Sequence, residues 1–368
     1  MVALSKIFFY VPNKTKKGIT MYAIPLNKSK KTLTTLALSV TLLAASTTTF
    51  AEKYNWTFQS GAQAGDSFFA IQKEWADRVG VMSNGDIEIS LVPVNAIVAY
   101  NETLDAVGAG IIQGHIADPS YFSGKDPAFA MLGNLVGAWS HPSQMIGFME
   151  YGGGKEVYNK LVNPYGLQFI GAASTGVESF VSKKPIRNIS DFKGIKMRAP
   201  EGMVQEIFAA VGASPVNLPG SEVYTALDKG VIDAADYSVF STNQAQGLHK
   251  FAKYPLYPGF HSMPTLAVSM NKVQWDSLSP ALKEILSISV RDFGYDMVQR
   301  LEMMDKDSVV MAKKDSSIEI INWSEEERTK FRSVAQQQWQ KWGDRSPMAS
   351  EVYTKVSAYL VSQGLLIE

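Results

Sequence analysis

Arg198 is the residue whose local pattern best suits it to hold an anion. It lies in KGIKMRAP, Lys193 to Pro200, where Ile195 and Met197 alternate with Lys196 and Arg198. That alternation predicts a half-buried strand, and Pro200 ends it because proline cannot donate to a ladder. In open α/β sheets ligands sit beyond the carboxyl ends of the strands. A guanidinium at that place offers planar paired donors that match a carboxylate, which lysine cannot reproduce. The competing role for Arg198 is a structural ion pair with a neighbouring acid. Other chemistry-bearing residues form no pattern. His115, His141, His249 and His261 are scattered along the chain and read as core or surface residues rather than a zinc site. There is no G-x-S-x-G elbow, no H-E-x-x-H pair and no G-x-x-x-x-G-K-[ST] loop. GAGIIQG, residues 108 to 114, misses the dinucleotide spacing by one residue, and YGGGKEVY, residues 151 to 158, reads as a joint between two helices. The chain has no cysteine, so thiolate metal sites, disulfides and thiol nucleophiles are excluded. No catalytic constellation emerges.

The elements that must position Arg198 alternate between strand and helix. YNWTFQS (Tyr54 to Ser60) alternates as a strand, and Asp66 caps a helix with Phe68, Ile71, Trp75, Val79 and Met82 at spacings of three and four. DIEISLV (Asp86 to Val92) is the next strand. The same order returns with LQFIGAAS, then KGIKMRAP, a helix from Met203 to Val211, SPVNL, a helix from Ser221 to Lys229 and a strand at VIDAA. This predicts α/β architecture with largely parallel sheets. Ser279 is a good N-cap, Pro280 suits a first helical turn, and no proline follows before about Lys314, with only Gly294 weakening the pattern. A helix of that length is about 50 Å long and would reach across two lobes. Amphipathic stretches from Glu325 to Trp342 and Ser350 to Ser362 end the chain.

The 368 residues are a soft prior for two domains, and the front is a separate object. Residues 1 to 51 hold seven lysines and no acid. Lys30 and Lys31 precede an apolar run from Leu33 to Ala45, and Thr49-Phe50-Ala51 offers small residues at a cut before Glu52. These are the marks of a secretory signal, with Met21 preferred over Met1 as its start. The run is too short for a membrane span, which needs about 20 residues. The rest carries 28 basic against 35 acidic residues, a net charge near −7, which argues against nucleic acid and anionic membranes as partners. The expected division is a signal peptide over 1–51, a first lobe over 52–175 plus about 264–300, and a second lobe over 176–263. A bridging helix at about 280–314 and C-terminal helices over 315–368 complete it.

FKGIKMRAP with VGASPVNLPGSEVYTALDKGVIDAADY, supported by VPVNAIVAYNETLDAVGAGIIQGHIADPSYFSGKDPAFAML and WDSLSPALKEIL, resembles the solute receptors of tripartite ATP-independent periplasmic (TRAP) transporters. The resemblance covers essentially all of the chain after the signal, and EVYTALDKGVIDA, Glu222 to Ala234, is its most specific piece. It implies a two-lobed periplasmic-binding-protein-like fold with a hinge and one long helix across both lobes. The implied function is capture of a small carboxylate in the periplasm and delivery to a membrane permease, with no enzymatic step. It also implies that Arg198 pairs with the ligand carboxylate.

IDAADYSVF and KYPLYPGFHS are most similar to the subgroup that binds 2-oxo acids or 2-hydroxy acids such as lactate with a metal ion. By that resemblance Asp236 and Tyr237 match an acid–aromatic pair that holds the cation. The subgroup's glutamine falls at or beside Glu178, and its glutamate falls on Ser262, so the chain departs from the pattern at two positions. The implied metal set is Asp236, Tyr237, Glu178 and Ser262, and the ligand set is Arg198, Glu178, Tyr237, Tyr121 and Phe260. Oxygen-donating side chains favour sodium or calcium, and the charge count favours calcium. Tyr254, Tyr257 and Phe260 with Pro255 and Pro258 are expected as an apolar wall. The rivals are a receptor for a hydrophobic or aromatic carboxylate without metal and, from another class, an exported hydrolase using Asp236 or Glu178 as base. Both monomer and swapped homodimer fit the family.

Overall fold

The computed structural model describes residues 53–200 and 202–366. The expected signal segment and its cut before Glu52 lie outside them. Among the described residues no helix is long and apolar enough to cross a membrane.

Two sheets form the two lobes. Strands β1 (Tyr54–Ser60), β2 (Ile87–Val92), β3 (Gly114–Ala117), β4 (Leu167–Ser174) and β9 (Thr265–Asn271) make a five-stranded sheet in the order β2-β1-β3-β9-β4. Strands β5 (Ser179–Ser182), β6 (Lys196–Arg198), β7 (Ser214–Val216) and β8 (Ala234–Ser238) make a four-stranded sheet in the order β5-β8-β6-β7. The expectation of largely parallel sheets needs correction. β1 pairs in parallel with β2 and β3, and β6 with β7 and β8, but β9 runs antiparallel to both β3 and β4, and β5 antiparallel to β8. The cause is the chain path. β4 leads out of the first lobe and β9 leads back into it, so the two crossings lie side by side in opposite directions.

The third link is the helix Pro280–Ala312. Ser279 Oγ accepts from Leu282 N at 3.3 Å and Pro280 fills the first turn, as the sequence predicts. In the first lobe its apolar stripe packs against Trp75, whose ring lies 5.6 Å from Phe293, and Trp75 Nε1 donates to Ser289 Oγ at 3.1 Å. Burying each such aromatic contributes roughly 1.5–3 kcal/mol. Gly294, read as a weak point, is where the helix lies closest to β4: a Cβ there would press on the carbonyl oxygen of Ala172. At the far end Asp305 Oδ1 accepts from Ser241 N at 2.7 Å, and Val309 and Ala312 pack against Phe240 of the second lobe. The last helices run Glu325–Gly343 and Pro347–Ser362, the second starting earlier than expected because Ser346 caps it onto Ala349 N at 2.9 Å. The strand expected at VIDAA likewise begins only at Ala234, since Gly230 takes a positive φ of 70° and Val231 and Ile232 close the preceding turn onto Ala226.

Candidate functional site

Arg198 ends β6, the strand held on both sides, with Ala235 of β8 and Val216 of β7 as its register partners. Its side chain is only 4% exposed. Nε donates to the Leu218 carbonyl at 3.1 Å and Nη1 to the Asp236 carbonyl at 2.7 Å. Two backbone acceptors thus fix the guanidinium plane, while Nη2 bonds to neither carbonyl and has Tyr121 beside it. Among the described residues no carboxylate lies within ion-pair distance of Arg198, so the structural ion pair is not made there. The cleft between the lobes, about 1080 Å³, is lined by Arg198 together with Glu178, Tyr237, Tyr121, Asp118 and Asp66.

Behind Arg198 lies a buried acid pair. Asp236 sits in β8 on the same face as Ala234, where small neighbours leave room at the backbone. Glu178 lies in the turn between β4 and β5, and its N–H donates to the Ser262 carbonyl at 2.9 Å. Gly259 permits that approach, because a Cβ there would collide with the Glu178 carbonyl. Ser262 also bonds the Glu178 carboxyl, and Asn134 Nδ2 donates to Ser262 Oγ. Ligand atoms of Glu178, Asp236 and His261 all lie within 4.8 Å of one another, and all three residues are buried.

The electrostatics separate the two acids. Burial, followed by the charge of Asp236 beside it, holds Glu178 well above the usual carboxylate range. Burial also acts on Asp236, but there His261, Glu178 and Arg198 together outweigh it and leave the group below its ordinary value. The two carboxyls are thus driven in opposite directions, Glu178 up and Asp236 down. Asp236 Oδ1 is bonded to His261 Nε2 at 3.0 Å, whereas Asp236 Oδ2 is buried without a hydrogen-bond partner. An orphaned carboxylate oxygen beside a second carboxyl is the arrangement a hard cation satisfies, and a histidine bonded behind one ligand orients it.

The structure therefore brings Arg198, Glu178, Asp236 and Ser262 together. Tyr121 is 41% exposed at the cleft, with its ring 4.6 Å from that of Tyr100. Tyr237 is half-buried and its hydroxyl accepts from Gln63 Nε2 at 3.5 Å. Phe260 is not among the residues lining the cleft: it stacks on Trp323 at 4.1 Å inside the main core. Tyr254 and Tyr257 of the expected wall are likewise not among the residues lining the cleft: residues 253–257 pair through the backbone with residues 319–321, and the Tyr257 ring lies 5.4 Å from that of Phe240. Sequence reading missed His261, set down as an ordinary core or surface histidine. The available signal was its place beside Ser262 in GFHS.

Residues 58–345 match the family described as bacterial extracellular solute-binding protein, family 7. The chain belongs to that family. It is a periplasmic solute receptor of the TRAP type, and not an enzyme. A TRAP solute-binding protein from Rhodobacter sphaeroides, solved in an apo open state, is 51% identical, with a TM-score of 0.75 over 86% of this chain and 100% of that one. A monocarboxylate 2-oxoacid-binding periplasmic protein from a Nostoc strain is 31% identical over 236 residues, an alignment that spans 64% of each protein. A TRAP receptor from Colwellia psychrerythraea, solved with calcium and pyruvate, is 26% identical, with a TM-score of 0.76 over 85% of this chain and 96% of that one.

Proposed function

We propose that this receptor captures a small monocarboxylate, a 2-oxo or 2-hydroxy acid, together with a calcium or sodium ion, and hands it to the permease. The observation that carries this reading is Arg198 itself. It is a buried cation whose plane is fixed by two carbonyls, which has no acidic ion-pair partner among the described residues and which opens on the cleft. A guanidinium so held waits for an anion from outside the chain, and pairing with a carboxylate offsets its desolvation. Glu178 and Asp236 would hold the ion, which supplies positive charge against the ligand carboxylate, with Ser262 supporting Glu178 and His261 orienting Asp236. Tyr237 and Tyr121 are read as cleft-facing groups that meet the cargo. Closure follows if the cargo contacts both lobes at once, since only differential contact shifts an open–closed equilibrium.

Native mass spectrometry of protein purified without added ligand tests this. The expected spectrum shows a mass increment equal to one small carboxylic acid plus one calcium or sodium, lost together on mild activation. A neutral or cationic ligand, or an acid retained undiminished after chelation, overturns the metal-assisted carboxylate reading. An aromatic acid without metal establishes the rival receptor. The same spectrum reports whether the receptor is a monomer or a homodimer.

A further inference from the structure

Asp118 is the cleft residue that neither the carboxylate clamp nor the ion site uses. It follows β3 and is 8% exposed, yet among the described residues it has no ion-pair partner and does not belong to the group of possible ligands at Glu178. Its orientation is built. Ser120 N donates to Asp118 Oδ1 at 2.8 Å, and the Asp118 N–H donates to Tyr100 Oη at 2.7 Å. Gly133 presses against the same oxygen, and a Cβ there would collide with Oδ1 and with Ser120 N. Oδ1 is thereby occupied, the Ser120 side chain also bonds the carboxyl, and the group lines the cleft with Arg198 and Glu178, where its remaining lone pairs can accept from a cargo. The group feels the charges of both Asp236 and Arg198, which places it on the same space. Burial lifts its pKa to about 6, so it remains mostly ionised at neutral pH.

An ionised carboxylate accepts hydrogen bonds and donates none. A 2-oxo acid without a hydroxyl, bound as its anion, presents only acceptor oxygens and would turn one lone pair on another. A hydroxy acid of the same skeleton presents an O–H that the Asp118 carboxylate can accept. We infer that Asp118 is the specificity-determining residue of the cleft and that it selects a hydroxy acid over the oxo acid of the same carbon skeleton. This rests on the carboxylate reading above and goes beyond it by naming the second functional group of the cargo.

Calorimetry at fixed calcium concentration on two matched pairs, lactate against pyruvate and 3-hydroxybutyrate against acetoacetate, tests the inference. In the wild type at least one hydroxy acid binds tighter than its partner by about tenfold or more, the scale of a hydrogen bond to a charged group. Asp118→Asn keeps an acceptor for Ser120 N but presents an amide that can donate, so the preference shrinks to within about threefold and the oxo acid gains affinity. A merely structural role would weaken both members equally. Asp118→Ser also removes the charge and serves if the asparagine variant does not fold. Oxo acids equal or tighter in both pairs, or a preference that survives both substitutions, overturns the inference and leaves the carboxylate clamp standing. Absence of heat with every carboxylate overturns both.

Discussion

His261 Nε2 stands 3.0 Å from Asp236 Oδ1, with both side chains sealed from solvent. The bond occupies one oxygen of the acid and leaves the other buried, with the Glu178 carboxyl within 4.8 Å of the pair. Asp236 is therefore oriented by its histidine for a ligand role, and its neighbour at Glu178 shares the charge.

Asp236→Asn should weaken ion and carboxylate binding together, because each supplies charge that the other needs. The expected loss in cargo affinity is at least about tenfold, with recovery by added calcium much blunted. Asp86→Asn, in the turn before β2, is the control and should change neither. Titrating cargo into chelated and calcium-loaded protein checks this; an affinity indifferent to both ion and Asp236 would remove the cation from the site.

Arg198→Lys keeps the charge but cannot satisfy both the Leu218 and Asp236 carbonyls while presenting a paired face to a carboxylate. Cargo affinity should fall by about 2 to 4 kcal/mol, while the ligand-free protein still folds and loses only the roughly 1 to 3 kcal/mol that one unpaired buried carbonyl costs. Binding within twofold of the parent would make Arg198 a structural residue.

How much of this was legible beforehand follows from the range over which each signal acts. YNWTFQS and LQFIGAAS form strands over the residues expected, because alternation and flanking turns are local. The long helix was legible from Ser279-Pro280 and the absence of a breaker. Glu178, Asp236 and His261 come from three separate segments, joined only when β5 pairs with β8 and Gly259 lets residues 258–262 approach Glu178. No spacing rule encodes that meeting. Phe260 was misplaced for the same reason: the ring that would have faced the cleft is covered by Trp323, which arrives from beyond the long helix.

Acid should destabilise the protein through His115, which is fully buried with its Nδ1 at 3.2 Å from Thr103 Oγ1 and its Nε2 unpartnered. Burial pushes its pKa down to about 3, against an ordinary value of 6.5. The folded state thus keeps it neutral, while the unfolded chain takes up a proton below pH 6.5. Its contribution is complete above that pH and is lost as pH falls from 6.5 towards 3. His115→Gln cannot titrate, so its stability relative to wild type should improve by about 2 kcal/mol between pH 7.5 and pH 5. Urea unfolding at the two pH values measures this difference, and parallel losses in both proteins would exclude His115 as the cause. His249, pushed down to about 4 first by burial and then by Lys253, adds a weaker dependence in the same direction.

The lobes also meet directly across the cleft mouth, where Gln246 Nε2 donates to Asp66 Oδ1 at 2.9 Å. Asp66 belongs to the start of the helix Ser67–Met82 in the first lobe, and Gln246 follows the helix Phe240–Ala245 in the second. Asp66 Oδ2 accepts from Gln63 N at 3.0 Å, so the carboxylate is held by its own turn before it reaches across. Such a bond exists only while the lobes are together, and it favours the closed arrangement by its own net worth, about 1 to 2 kcal/mol for a charged acceptor. Asp66→Ala should therefore lower cargo affinity by roughly fivefold to thirtyfold, chiefly through faster release, while Gln246→Ala lowers it by a similar factor. The double variant should lose little more than either single one, since both remove the same contact. Stopped-flow release rates of the four proteins decide the matter. Fully additive losses would mean that Asp66 and Gln246 touch the cargo separately rather than each other.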